Sequence, residues 1–175
     1  KDIELKDVTD DFCVFGLFGP KSRNLIKTLS NDKFENNDFK FATAKFITIE
    51  GIKIWTQRLS YVGELGYELY VEFKDAKKIY ELIVEAGKNF YLSNCGMHAM
   101  DIMRMERGFL HWGHDISPEE NQYQSGLNFA ISYKKPFDFI GKDRLLIIKD
   151  QKLDKRFVML TLNESMPGKP LLLHE

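Results

Sequence analysis

Residues 61–68 read Tyr61-Val62-Gly63-Glu64-Leu65-Gly66-Tyr67-Glu68, which sets two carboxylates, two tyrosines and two glycines in one short stretch. A carboxylate accepts two hydrogen bonds at once from a ligand with a paired donor edge, so Glu68 is a candidate for binding such an edge. The alternative is an exposed strand glutamate with no ligand. Tyr61 offers ring surface and a hydroxyl to a pocket, or packs its own loop and nothing more. Glu64 suits a local cap or ion pair. Gly63 and Gly66 suit backbone geometry, by a positive φ or a close approach. Asp101, Arg104 and Glu106 share a helical stretch that reads as buried, where charges must be paired, so they are expected to tie helix to loop. His111, His114 and Asp115 suggest metal ligation, but an HxxH without a second cluster is a weak signal and no metal site is expected.

The elements that must position these residues follow from periodicity. Cys13–Phe18 reads as a buried strand, and Gly19-Pro20 breaks it before a helix over about 21–29 with Leu25, Ile26 and Leu29 on one face. Asn31–Asp38 is a mostly polar loop. Strands over 44–49 and 52–56 flank a hairpin turn at Glu50-Gly51. Tyr67, Leu69, Val71 and Phe73 alternate with Glu68, Tyr70 and Glu72, the mark of a strand with one apolar face. Alternation puts Glu68 on the other face. A helix from Asp75 to about Ala86 turns Ala76, Ile79, Tyr80 and Ile83 inward. Another over 96–107 carries methionines nearly all round and should be largely buried. Residues 126–133 read as a strand, a short helix ends near Gln151, and Phe157–Leu162 and Pro170–Leu173 read as strands around a Pro167-Gly168 turn. Strands and helices interleave without a regular βαβ repeat. The expected class is α+β, with mixed or antiparallel sheets, packed helices and the start of a small all-β domain.

Composition narrows the partners. Twenty-five basic against 26 acidic residues give a net charge of −1, without the basic excess that a nucleic-acid partner requires. A hydrophobic content of 43% supports a packed core. No apolar run is long enough to span a membrane, and neither a nucleic acid nor a membrane is expected as a partner. Cys13 and Cys95 stand far apart and outside any CxxC, which argues for a reducing compartment. Cytoplasm is expected, or the mitochondrial matrix in a eukaryote.

Several motifs in register carry a resemblance. The Tyr61–Glu68 stretch is similar to the Tyr-x-Gly-Glu-x-Gly-aromatic-Glu signature of the glycine cleavage T-protein superfamily. Ala99-Met100-Asp101-Ile102-Met103-Arg104-Met105-Glu106-Arg107-Gly108, followed by Gly113-His114-Asp115, resembles a second segment of that family. Gly126-Leu127-Asn128-Phe129 and Phe139-Ile140-Gly141-Lys142 match later ones, so the likeness runs from about Leu17 onward. Leu65, Tyr67 and His111–Asp115 look more like the fused dimethylglycine and sarcosine dehydrogenases than the free T-protein. Met100 stands where the free T-protein carries an arginine that contacts folate, a change the fused enzymes share.

The resemblance implies a tetrahydrofolate-binding, aminomethyltransferase-like domain that captures the one-carbon unit of amine demethylation as methylenetetrahydrofolate. The small-molecule partners would be the folate and an iminium derived from an N-methyl amine. Glu68 would hold the paired donor edge of the pterin, and Tyr61 would line the folate pocket. The family's catalytic aspartate lies in an N-terminal stretch that is not found here, so this chain alone is expected to be inactive and its parent gene to extend both ways. No GxGxxG flavin fingerprint occurs, so any FAD is expected in a missing domain or a partner subunit. Expected boundaries are 1–133 for the C-terminal part of the folate-binding domain, 134–153 for a connecting helix, and 154–175 for the start of a β-barrel-like domain. The alternatives are a free T-protein and a non-catalytic folate-binding module.

Overall fold

Glu50 (φ 47°) and Gly51 (φ 77°) both take left-handed backbone. This is the two-residue turn whose twist matches antiparallel strands, and it joins β2 (Ala44–Ile49) to β3 (Ile52–Gln57). A computed structural model of the chain describes residues 3–161 and residue 163. It divides into two compact units, Lys1–Phe109 and Leu110–Glu175.

In the first unit β1 (Phe12–Phe18) and β4 (Gly66–Glu72) complete one antiparallel sheet of order β1-β4-β3-β2. Helices α1 (Ser22–Leu29) and α2 (Phe73–Gly87) pack on one face of it. The architecture is α+β, as the interleaved pattern indicates. The core lies between sheet and helices: Leu17, Ile47, Ile54, Tyr67, Leu69 and Val71 from the strands meet Leu25, Ile26, Ile79 and Ile83 from the helices. Phe34 and Phe39, each 1% exposed, also belong to this core. Their rings lie 5.7 Å from the Tyr67 ring. Phe34 comes from the stretch read as a polar loop and Phe39 follows it directly; isolated aromatics in a loop leave no period to detect. Asn36 secures that loop by accepting from Arg23 at 2.7 Å and from Arg58 at 2.8 Å.

Other expectations need correction. Phe73 does not continue the apolar face of β4. The chain passes directly into α2 there, the period changes from 2 to 3.6, and the ring is 69% exposed. Tyr80 is half-exposed for a similar reason, since it sits at the margin of the α2 stripe, donates nothing inward, and accepts from Asn94 at 2.7 Å. Helix α3 (Met97–Glu106) forms where expected but is not largely buried: Arg104 is its one buried residue, while Met97, Ile102 and Met105 stand exposed. An apolar circumference requires cover on every side, and the described residues cover only part of it.

In the second unit, residues 126–133 form no strand. Gly126 turns with φ 75°, and a 3-10 turn over Asn128–Ala130 follows, with no described strand beside it to pair. Helix α4 (Lys142–Lys149) forms as expected. Residues 157–161 are irregular. Phe157 N–H donates to the Gln124 carbonyl at 2.8 Å instead of joining a ladder. The Pro167-Gly168 turn and the Pro170–Leu173 strand lie outside the described residues. Glu120 fixes a turn over Ser117–Glu120, accepting from Ser117 N–H at 2.9 Å, Ser117 Oγ at 2.8 Å and Lys155 Nζ at 2.8 Å.

The Lys155 ammonium first, then the Ser117 hydroxyl and N–H, hold the Glu120 carboxyl down at about 2. A carboxyl depressed in the folded state contributes stability that is complete above its ordinary value of 4.5 and is lost as pH falls through about 2. The Ser117–Glu120 turn should therefore loosen only in strong acid. Carbon-13 titration of the Glu120 carboxyl should show a midpoint near 2, and Lys155→Met should move it upward toward 4.5. A midpoint already at the ordinary value in the unsubstituted protein would contradict the contact.

Candidate functional site

The Tyr61–Glu68 stretch is held at both ends by groups it supplies itself. Gly63 has φ +72°, and a Cβ there would sit 2.4 Å from the Arg107 Cγ. Both the left-handed backbone and the close approach require glycine. With its stem over Gly63, Arg107 reaches the Glu64 carboxylate in an ion pair. Glu64 therefore pairs locally. The Leu65 carbonyl accepts from Gly19 N–H at 2.8 Å and from Ser22 Oγ at 3.0 Å, which docks the connection on the β1–α1 turn. Gly66 opens β4 opposite Phe18. A Cβ there would lie 2.2 Å from the Phe18 ring and 2.8 Å from the Leu17 carbonyl, so this close strand approach also needs glycine.

Two residues further on, Glu68 lies half-buried on the face of the sheet opposite Tyr67, Leu69 and Val71. Its cross-strand neighbours are Gly16 of β1 and Gln57 of β3. Gly16 has no side chain, and the Phe18 ring fills its place, 2.4 Å from where a Cβ would stand. The phenol that reaches Glu68 is that of Tyr70, donating to Oε2 at 3.2 Å. Burial, then the charge and the hydrogen bond of Glu68, raises the Tyr70 phenol above its usual range. Tyr61 is half-buried in the connection before β4.

A cleft of about 530 Å³ opens within the same unit, along the β1 edge. Gly16, Phe18, Val62, Glu64, Met100 and Met103 are among its lining residues. Neither Glu68 nor Tyr61 lines it; Gly16, which does, is the cross-strand partner of Glu68. Met100 and Met103 show what part of the α3 methionine stripe faces.

The remaining candidates are structural. Arg104, 2% exposed, donates Nε to Asp101 at 2.7 Å and Nη1 to the Phe109 carbonyl at 3.0 Å, tying α3 to the turn after it. Glu106 is exposed. In the second unit Asp115 closes a turn, accepting from His111 N–H at 2.8 Å, with its other oxygen 3.2 Å from His114 Nδ1. The two imidazoles stack at 5.6 Å. Among the described residues no three His, Cys, Asp or Glu side chains converge as metal ligands. No helix of these residues is long and apolar enough to cross a membrane.

An open antiparallel sheet with helices on one face, entered through a glycine-bearing Tyr61–Glu68 connection, defines a T-protein-like α+β domain. Residues 1–135 match the GCVT N-terminal domain, and the chain belongs to that family. It is 37% identical over 161 residues to the mitochondrial dimethylglycine dehydrogenase of Homo sapiens, a match covering 92% of this chain and 19% of the relative. It is 37% identical to the formaldehyde-forming 4-methylaminobutanoate oxidase of Paenarthrobacter nicotinovorans, covering 92% of this chain and 20% of that protein. It is 34% identical to an aminomethyltransferase of Symbiobacterium thermophilum, covering 89% of this chain and 42% of the other. The chain thus spans about a fifth of the dehydrogenase and oxidase and under half of the transferase.

Gly63→Ala tests the local construction. It combines a left-handed backbone with a clash against the Arg107 stem, so unfolding free energy should fall by about 1–3 kcal/mol in urea titration. The same change at Gly96, whose φ is −82° and whose Cβ direction is open, should cost about 1 kcal/mol or less. Equal losses at the two sites would sink the assignment.

Proposed function

We propose that this chain supplies the pterin-binding wall of a tetrahydrofolate-dependent one-carbon acceptor linked to oxidative demethylation of an N-methyl amine. The observation that carries the reading is Glu68, a half-buried carboxylate between Gly16 and Gln57 on the open face of the sheet. Its two oxygens suit a paired donor edge of the kind a pterin presents. Tyr61 would contribute ring surface at the pocket margin. Bound tetrahydrofolate would supply the amine that accepts the one-carbon unit from the iminium. Glu68 binds and orients the pterin, which is catalysis by proximity.

The catalytic aspartate of the family and any flavin lie outside this chain in this reading. Residues 1–133 form part of the folate-binding domain, 134–153 connect, and 154–175 begin a β domain. A mitochondrial location follows for a eukaryotic source, by analogy with the relative of that name. The second reading, a glycine cleavage aminomethyltransferase, is favoured by the likeness to the bacterial transferase, of which the chain covers more. Met100 in place of the T-protein arginine favours the first.

Glu68→Gln in the complete polypeptide should weaken tetrahydrofolate binding by about 1.5–3 kcal/mol, roughly ten- to a hundredfold, because the new amide sets a donor against donors. Glu72→Gln, on the same face but exposed and paired with Lys74 at 2.5 Å, should bind nearly normally. Calorimetric titration reads both, and wild-type affinity in both variants would remove Glu68 from the site.

A further inference from the structure

The open face of the sheet is arranged in rows that cross the strands. One row runs Gly16, Glu68, Gln57, Ala44, and is small or polar throughout. The next runs Val14, Tyr70, Trp55, Phe46, and is bulky throughout. Trp55 and Phe46 meet edge to face at 4.9 Å, so the second row is a packed ridge beside the first, whose Gly16 end the Phe18 ring covers. A phenol anchored in that ridge points back to the one charged side chain of the first row.

We propose that Tyr70 is a positioning residue for ligand binding: from the aromatic ridge it holds the Glu68 carboxylate in the orientation that receives a paired donor edge. The proposal rests on the reading of Glu68 as the pterin contact. A free glutamate on a sheet surface samples several rotamers, and a ligand that needs one of them must bear the loss of the others. The Tyr70 hydroxyl removes part of that loss before the ligand arrives. It occupies one lone pair of Oε2 and leaves Oε1 and the remaining Oε2 acceptor sites open. At 3.2 Å the bond is long for an O–H donor, so its contribution is orientation more than strength. The phenol stays protonated, hence a donor, through the neutral range, because burial and the Glu68 charge both oppose its ionisation. Glu72 and Lys53 are the other titratable groups on this face. Glu72 pairs with Lys74, and the Lys53 ammonium lies over the Phe46 ring, 4.3 Å from its centroid.

The test is a double-mutant cycle in the complete polypeptide, with tetrahydrofolate as the titrant under anaerobic conditions. Tyr70→Phe should weaken binding about three- to tenfold. In the Glu68→Gln background the same change should have no further effect. In parallel, the Tyr70 ring carbon of tyrosine-labelled protein is followed with pH, and its midpoint should fall in Glu68→Gln. Impaired binding by Glu68→Gln with wild-type binding by Tyr70→Phe overturns the positioning role alone. Additive losses in the double variant also overturn it. Wild-type binding by Glu68→Gln removes the reading of Glu68 and the proposal with it. Should Tyr70→Phe fail to fold, the phenol titration still decides, because an unmoved midpoint in Glu68→Gln means the two groups do not interact.

Discussion

Tyr67, Leu69 and Val71 are almost fully enclosed between the sheet and its two helices, and this burial fixes the parity of β4. Leu69 and Val71 each contribute on the order of 1.5–3 kcal/mol by leaving water. A register slip of one residue would turn all three outward and drive Glu68, Tyr70 and Glu72 into the core. The orientation of the candidate site is thus a consequence of core packing on the other side of the same strand. The choice of face needs no scaffold beyond that packing, and Tyr70 acts only on the orientation of the carboxylate within the face.

The start of β4 is fixed separately, and by backbone more than by side chains. Gly66 lets the end of β1 close on it, Leu65 is bonded to the β1–α1 turn, and Gly63 lies under the Arg107 stem. The Glu64–Arg107 pair joins this connection to the end of α3. The pair is half-exposed and adds little stability by itself. Its role is to set where the connection lies. The Tyr61–Glu68 motif therefore divides its labour: glycines and Glu64 shape the approach, and Glu68 faces the open side of the sheet.

The sequence made some of this legible and concealed the rest. Period-two alternation found β4 and the face of Glu68, and Glu50-Gly51 announced the β2–β3 hairpin, because both are local signals. The same alternation sets Tyr70 on the face of Glu68, but the reach of the phenol to Oε2 depends on side-chain rotamers that alternation does not fix. Gly16 and Gln57 could not have been named, since their places depend on long-range register. Phe34 and Phe39 were hidden in a loop without a period. Helix α3 was detected correctly from its apolar content, but apolar content does not say what covers it. Residues 126–133 and 157–161 have strand-like composition and no described partner strand, and a lone strand has nothing to bond.

The central claim is that a carboxylate at Glu68 reads the donor edge of a pterin. The most direct measurement compares tetrahydrofolate with its 2-desamino analogue, which lacks one donor of that edge, by calorimetric titration of the complete polypeptide. The wild-type protein should prefer tetrahydrofolate by about tenfold or more, and Glu68→Gln should lose most of that preference. Equal affinity of the wild-type protein for the two compounds would contradict the account.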